Sequence, residues 1–262
     1  MTGWNTTLDV PNGQRARWNL GSRALWARWA PGEWLLGMQE VGDDHLLDMV
    51  CGVGDPVPDE DGAPKLRVAW DGGGSVRLRP APPPRALLAR PDLTLSVPAR
   101  RTTEVFVGIP LWGQIWVGDT LLWDQSIVRL SDTWFGTPLD GDLCFATRTH
   151  LSMDREAVGR KPYRAVCTVQ VVNHSDEPLT LERLKIEGPC LDLWRDRSGG
   201  LCASTVRVSR VQGRDLDEVL IVSTPPQHAT GTEPISKARQ PEVAPRLSRA
   251  LSVVWKGIGS AL

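Results

Sequence analysis

From Tyr163 to Val171, apolar and polar residues alternate with a period of two. Tyr163, Ala165, Cys167, Val169 and Val171 share one face, and Arg164, Thr168 and Gln170 share the other. Successive side chains of a strand point to opposite sides of its sheet, so this alternation predicts a half-buried β-strand. The polar turn Asn173-His174-Ser175-Asp176-Glu177-Pro178 leads into a second apolar run, Leu179 to Ile186. The pair is therefore either a β-hairpin or a strand that crosses from one sheet to another. Apolar parity shifts between Leu181 and Leu184. A β-bulge near Glu182-Arg183 would restore inward pointing.

Similar short runs recur along the chain. Trp18, Trp26, Trp29 and Trp34 fall in apolar segments separated by Gly21-Ser22 and Ala30-Pro31-Gly32, which predicts two or three strands joined by tight turns. Residues 52 to 64 read as loop. Leu66-Val68-Trp70, Asp71-Gly72-Gly73-Gly74 and Val76-Leu78 predict a hairpin with the glycines as its turn. Prolines at 80, 82–84 and 91 end a sheet edge or bridge two halves. Strands are expected at Leu93–Val97, Glu104–Ile109, Gly113–Val117, Leu121–Leu130, Leu143–Thr149, Ala203–Val211 and Glu218–Ser223. Such spacing, with few helical patterns, predicts an all-β fold of sandwich type with antiparallel sheets. The expected domain spans 1–225, with two β subdomains meeting near 80–98 as a variant, followed by a linker over 226–242. The period then changes. Val243, Leu247, Ala250, Leu251, Val254, Trp255, Ile258 and Leu262 would share one side of a helix, predicting an appended amphipathic C-terminal helix over 243–262.

Composition narrows the functional classes. A net charge of −1 over 262 residues gives no electrostatic footprint for nucleic acid. The five cysteines include no C-x-x-C pair, and their odd number fits a reducing cytoplasm better than a secreted disulfide framework. No charged head with an apolar stretch opens the chain, and no run of eighteen apolar residues occurs, so neither export nor a membrane span is expected. The acceptor triplets Asn5-Thr6-Thr7 and Asn173-His174-Ser175 are accordingly read as chance. Twelve tryptophans stand against three Phe and one Tyr, and because a buried indole N–H seeks a partner, many are expected at sheet margins.

Candidate chemistry is sparse. His45 sits among Asp43, Asp44 and Asp48, but no metal-ligand spacing of His or Cys appears. Cys144 and Cys167 fall on apolar positions, where burial makes a thiol inert. Asp140, Asp142, Asp154 and Glu156 form a pairing of no specificity. No nucleophile elbow occurs, so no catalytic residue, metal or cofactor is expected. The distinctive segment is Ser131-Asp132-Thr133-Trp134-Phe135-Gly136-Thr137-Pro138, read as a loop. It is either a platform on which Trp134 or Phe135 stacks and Asp132 accepts a hydrogen bond, or a hydrophobic plug.

At Glu104–Trp112, Leu130–Gly136 and Gly141–Ala146 the sequence resembles an uncharacterised prokaryotic family, a domain of unknown function first described from archaea. The resemblance implies no catalytic residues. It implies a cytoplasmic partner role, some members being encoded beside small mechanosensitive-channel genes. The expected function is thus a non-catalytic interaction or regulatory module for a protein partner, such as a membrane-protein assembly, or for a second copy. Asp132, Trp134, Phe135, Trp112 and Trp116 are the expected contact residues, and Leu247, Leu251, Val254, Trp255 and Ile258 the expected docking face of the helix. Peripheral membrane association through that helix is the lesser reading of it. The alternative function is a small-ligand or carbohydrate-binding sandwich built on the same aromatics, with a hydrolase third.

Overall fold

The computed structural model describes residues 3–42, 48–55, 65–147, 151–210, 217–222, 224, 226, 231–240, 246–248 and 250–253. The chain is mostly β, arranged in several antiparallel and mixed sheets, part of which curl into a half-barrel. Residues 56–64, most of the expected loop, lie outside the described residues, as does His45.

The tryptophan-rich start forms the middle of a five-stranded antiparallel sheet. Arg15–Leu20, Arg23–Ala30 and Gly32–Glu40 follow one another through tight turns, flanked by Val50–Gly54 and Leu66–Trp70. Ala16, Trp18, Leu25, Ala27, Trp34 and Leu36 form its inward face, all fully buried. Trp18 and Trp34 therefore sit in the core and not at a margin. Their indole N–H groups meet no acceptor among the described residues. Here apolar area outweighed the N–H: an indole buries some 150–250 Å², whereas one unmade hydrogen bond costs about 1–3 kcal/mol.

Leu66–Trp70 and Ser75–Ala81 do not form the expected hairpin. The first pairs with Gly32–Leu36, whereas the second pairs with Thr7–Asp9 and Trp112–Val117 in a four-stranded sheet completed by Thr120–Ser126. The glycine stretch carries the chain between sheets. A Cβ on Gly74 would lie 2.3 Å from the Val10 carbonyl oxygen and 2.9 Å from the Trp29 ring, so only glycine lets the backbone pass.

The alternating strand Arg164–Asn173 is the axis of an eight-stranded sheet. It pairs antiparallel with Thr102–Pro110, bringing Val105, Val107 and Ile109 opposite Val169, Cys167 and Ala165, all fully buried. On its other edge it pairs in parallel with Leu201–Ala203 and Thr205–Arg210, which departs from an all-antiparallel expectation. A parallel pair needs a crossover. The run Leu179–Ile186 lies in that connection but belongs to a different sheet, a six-stranded one with Ser131–Phe135, Asp142–Ala146, Leu87–Ala89, Leu95–Val97 and Leu251–Val253. The 163–187 segment is thus a sheet-to-sheet crossing. Its register shifts between Leu181 and Arg183, where the bulge was expected, and Leu179, Leu181, Leu184 and Ile186 all point inward.

Among the described residues there is no C-terminal helix. Arg246–Ser248 pairs with Asp217–Val219, and Leu251–Val253 pairs with Leu181–Leu184, so Leu247 and Leu251 belong to strands. Leu251 and Ala250 are buried and the Ala250 carbonyl accepts from Lys185 N at 2.8 Å. A helical spacing of apolar residues gave way here to two open sheet edges that offered backbone partners. Val254, Trp255 and Ile258 lie outside the described residues. Within the stretch expected as a linker, Glu233–Ser236 pairs with Leu193–Arg195 and buries Ile235. One contiguous core joins residues from Trp4 to Leu251 across all four sheets.

The crossing is clasped by Asn173, which is 1% exposed. Its Nδ2 donates to the carbonyls of Val97, Pro98 and Glu177 at 3.1, 3.2 and 2.8 Å, and its Oδ1 accepts from Ser175 N and Oγ at 3.0 and 2.7 Å. The side chain of the 173–175 triplet is thus fully engaged. Asn173→Ala orphans several buried groups and should cost about 2–4 kcal/mol in urea unfolding. Asn173→Asp replaces the donor by an acceptor facing three carbonyls. That site raises the carboxyl's native pKa above its unfolded value near 3.9. The stability deficit relative to the parent at equal pH should therefore be smaller at pH 4 and grow as pH rises through the native pKa.

Candidate functional site

Ser131–Phe135 is a strand, not a loop. It pairs antiparallel with Asp142–Ala146 and forms the outer edge of the six-stranded sheet, with no further strand beside it among the described residues. The tip closes tightly. Gly141 N donates to the Thr137 carbonyl at 2.7 Å, Thr137 Oγ1 donates to Asp140, and a Cβ on Gly141 would lie 2.5 Å from the Thr137 oxygen.

Register divides the hairpin into two unlike faces. On one, Trp134 stands opposite Leu143, and Asp132 opposite Phe145. On the other, Phe135 stands opposite Asp142, and Thr133 opposite Cys144. The second face is turned inward. Phe135 and Cys144 are buried against Leu88, so Phe135 is a packing residue and not a contact residue. Beside them the buried Lys185 ammonium binds Asp142 Oδ2 at 2.7 Å and Glu187 Oε1 at 3.1 Å, and lies 5.8 Å from the Phe135 ring centre. Burial lowers the Lys185 pKa, but the hydrogen bond to Asp142 and the charge and hydrogen bond of Glu187 outweigh it, leaving the group above its ordinary value.

The first face is open. Trp134 and Leu143 are each 39% exposed and Leu139 at the tip is fully exposed. Asp132 accepts from Arg85 Nη2 at 3.0 Å, and the Arg85 guanidinium lies 4.0 Å above the Phe145 ring. Phe145 in turn packs on Trp112, ring centres 5.3 Å apart. Trp112 is buried by this contact and belongs to the core rather than to an accessible surface. Trp116 is held elsewhere, on the four-stranded sheet. Its Nε1 donates to Gln114 Oε1 at 3.2 Å and the Arg79 guanidinium covers its ring at 4.8 Å. Gln114 also donates to Asp124, whose carboxylate is gripped by Arg239 at 2.6 and 2.8 Å. Of the expected contact residues, the structure thus brings Asp132 and Trp134 onto one accessible face and assigns Trp112, Phe135 and Trp116 to other tasks.

The carboxylates considered for acid–base work have local partners. Asp142 binds Lys185, Asp154 Oδ1 accepts from Glu156 N at 3.0 Å at the start of a one-turn helix, and Asp140 takes the Thr137 hydroxyl. None of the five cysteines forms a disulfide. Burial pushes the Cys167 and Cys202 thiols up to about 12 and Cys144 up to about 11, the last despite nearby Lys185. Sequence reasoning missed Leu139, Leu143, Phe145 and Arg85. Leu143 and Phe145 were legible as the partner strand of the aromatic segment, whereas Leu139 lies in the turn between the two. Arg85 sits among prolines with no pattern to mark it.

Fold and site together define a predominantly β protein of several mixed sheets with an apolar hairpin at one sheet edge. The chain belongs to the DUF432 family, described as proteins of unknown function, whose model it matches over residues 7–253. That match contains the segments between 104 and 146 that carry the resemblance. No curated protein and no solved structure matches the chain.

Two outcomes follow for this site. Maleimide at pH 8 should label native Cys51, the only cysteine that is not buried, and spare the others until denaturant is added, as read by intact-mass spectrometry. Lys185→Met leaves Asp142 and Glu187 without their cation and should cost about 1–2 kcal/mol, less than a fully buried pair because Asp142 is largely hydrated. Since the native Lys185 pKa is raised, the pair's contribution is complete below the unfolded lysine pKa near 10.4 and is lost as pH rises through the native value. The parent and the variant should converge in stability above that range.

Proposed function

We propose that this protein is a non-catalytic interaction module that docks an extended segment of another protein along the Ser131–Phe135 edge. The observation that carries the reading is the exposed pair Trp134 and Leu143, with Leu139 exposed at the hairpin tip, beside a backbone edge with no neighbouring strand among the described residues. An edge strand offers a row of N–H and C=O groups to an added strand, and exposed apolar side chains next to it supply the pocket contacts. Evolution normally blunts such edges with charge or proline. Here the strand carries a single charge, Asp132, already paired with Arg85. The inward lock of Lys185 on Asp142 keeps the hairpin rigid, which limits the ordering cost of docking.

The sheets are read as packed in sandwich fashion around the shared core, and the unpaired thiols support a reducing, cytoplasmic setting. A carbohydrate site built on the tryptophans has less support, because Trp112 and Trp116 do not join Trp134 on a concave face. The test is affinity purification of the tagged full chain from its native cells in mild detergent, with Trp134→Glu and Leu143→Glu as comparisons. A stoichiometric partner should co-elute with the parent and fall at least about tenfold in both variants, whose stability changes by about 1 kcal/mol or less. A partner retained by the double variant, or a parent recovered alone as a monomer, overturns the reading. A parent recovered as a dimer that both variants dissolve replaces the foreign partner with a second copy.

A further inference from the structure

Three arginines far apart in sequence line one cavity of about 360 Å³ at the seam between the five-stranded and eight-stranded sheets. Arg23 comes from the first residue of its strand and Arg164 from the first residue of the axial strand. Arg129 comes from the segment that follows Thr120–Ser126. Ser22, Glu40, Gly42, Pro110, Val128, Leu130 and Tyr163 also line it, so that among the described lining residues three guanidinium groups stand against the one carboxylate of Glu40.

The walls are held by backbone rather than by the arginines themselves. Leu111 N donates to the Tyr163 carbonyl at 2.9 Å, Ile127 N to the Leu111 carbonyl at 3.1 Å, and Val41 N to the Ser22 carbonyl at 2.9 Å. The main-chain positions around the arginines are thus set by a frame that does not need their charge. Arg23 is 14% exposed, yet its contacts are the Met38 thioether at 3.7 Å and Glu40 at 3.3 Å, a carboxylate that is 74% exposed. A hydrated carboxylate and a weak sulfur acceptor are poor compensation for a desolvated cation. Arg164 is oriented by the Val158 carbonyl at 2.9 Å and by the Tyr163 ring. Arg129 meets no protein hydrogen-bond partner among the described residues. Guanidinium forks match tetrahedral oxyanions with parallel N–H donors. The size is at the lower end of small-molecule sites, and Val128, Leu130 and Pro110 form an apolar side for a short organic body.

We propose that this cavity binds the phosphate group of a small phosphorylated molecule, a dianion at neutral pH, in a site separate from the hairpin edge. The Arg23, Arg129 and Arg164 guanidinium groups hold the phosphoryl oxygens, and the apolar wall takes the remainder. The predominance of guanidinium groups among the described lining residues suits a phosphate monoester, which is a dianion above its second pKa near 6.

The experiment is isothermal titration of the full chain with inorganic phosphate and with phenyl phosphate, at pH 7.5 in low salt, against chloride of equal ionic strength. Both phosphates should bind with one-to-one stoichiometry and chloride should give no heat. Phenyl phosphate should bind more tightly than phosphate, and both should weaken below pH 6 as the dianion protonates. Arg129→Gln, exposed and outside the fold's ladders, should weaken both by about tenfold, the loss of one charge-assisted contact, without lowering the melting temperature. Arg23→Gln should do the same. Equal heats from chloride, or affinities unchanged in both variants, overturn the proposal. Vesicles containing phosphatidic acid form the second arm. Sedimentation with them that Arg129→Gln abolishes, together with no binding of either soluble phosphate, would move the site from a small molecule to a lipid headgroup and overturn the soluble-ligand assignment. Arg23 lies in the five-stranded sheet, away from the hairpin, so Arg23→Gln leaves partner capture there unaffected, and failure of one proposal leaves the other standing.

Discussion

The buried amide of Asn173 holds together two turns and, through them, two sheets. Its donors reach the strand end at Val97-Pro98 and the turn at Glu177, while its acceptor secures Ser175. Around it the Arg100 backbone N–H donates to the Ser175 carbonyl, and the Arg100 side chain pairs with Asp176. Arg100 itself adopts φ of 58°, a left-handed conformation worth about 1–2 kcal/mol of strain for a residue with a Cβ. Such strain persists only where neighbours over-determine it. The result is a fixed corner: the axial strand of the eight-stranded sheet ends there and the six-stranded sheet begins. The hairpin is tied to that corner through Leu179–Ile186, which carries the Lys185 lock.

The two candidate sites illustrate different uses of charge. At the hairpin, Lys185 is spent inward on Asp142 and Glu187, and the open face sets the apolar Trp134 and Leu143 beside the Asp132–Arg85 pair. At the seam the framework is backbone and aliphatic, and three guanidinium groups line one cavity with Glu40 as the carboxylate among its described residues.

Much of the strand pattern was legible because it rests on local alternation. The 163–171 periodicity, the bulge at Arg183 and the tight turns at Gly21 and Gly32 needed no tertiary information. What was not legible depends on partners distant in sequence. Leu251 satisfies a helix and a strand equally well as a pattern, and the open edge at Leu181–Leu184 decided it. Ser131–Phe135 reads as a loop from its composition, and becomes a strand because Asp142–Ala146 lies beside it. The candidate aromatics dispersed for the same reason: Phe135 and Trp134 are adjacent in sequence but face opposite sides, as strand geometry demands. The arginine cavity draws on positions 23, 129 and 164, and no sequence window spans them.

The pairing of Leu251–Val253 with Leu181–Leu184 places a demand on synthesis. Until residue 253 has emerged from the ribosome, the outer side of Leu179–Ile186 has no strand to close it, although the hairpins of the five-stranded sheet can already form. The parallel pairing of Thr205–Arg210 likewise waits for the whole crossover to be made. Until residue 253 is made, the nascent chain carries the Leu181–Leu184 margin unpaired. That interval is when a chaperone, or another nascent copy, has its best access to it.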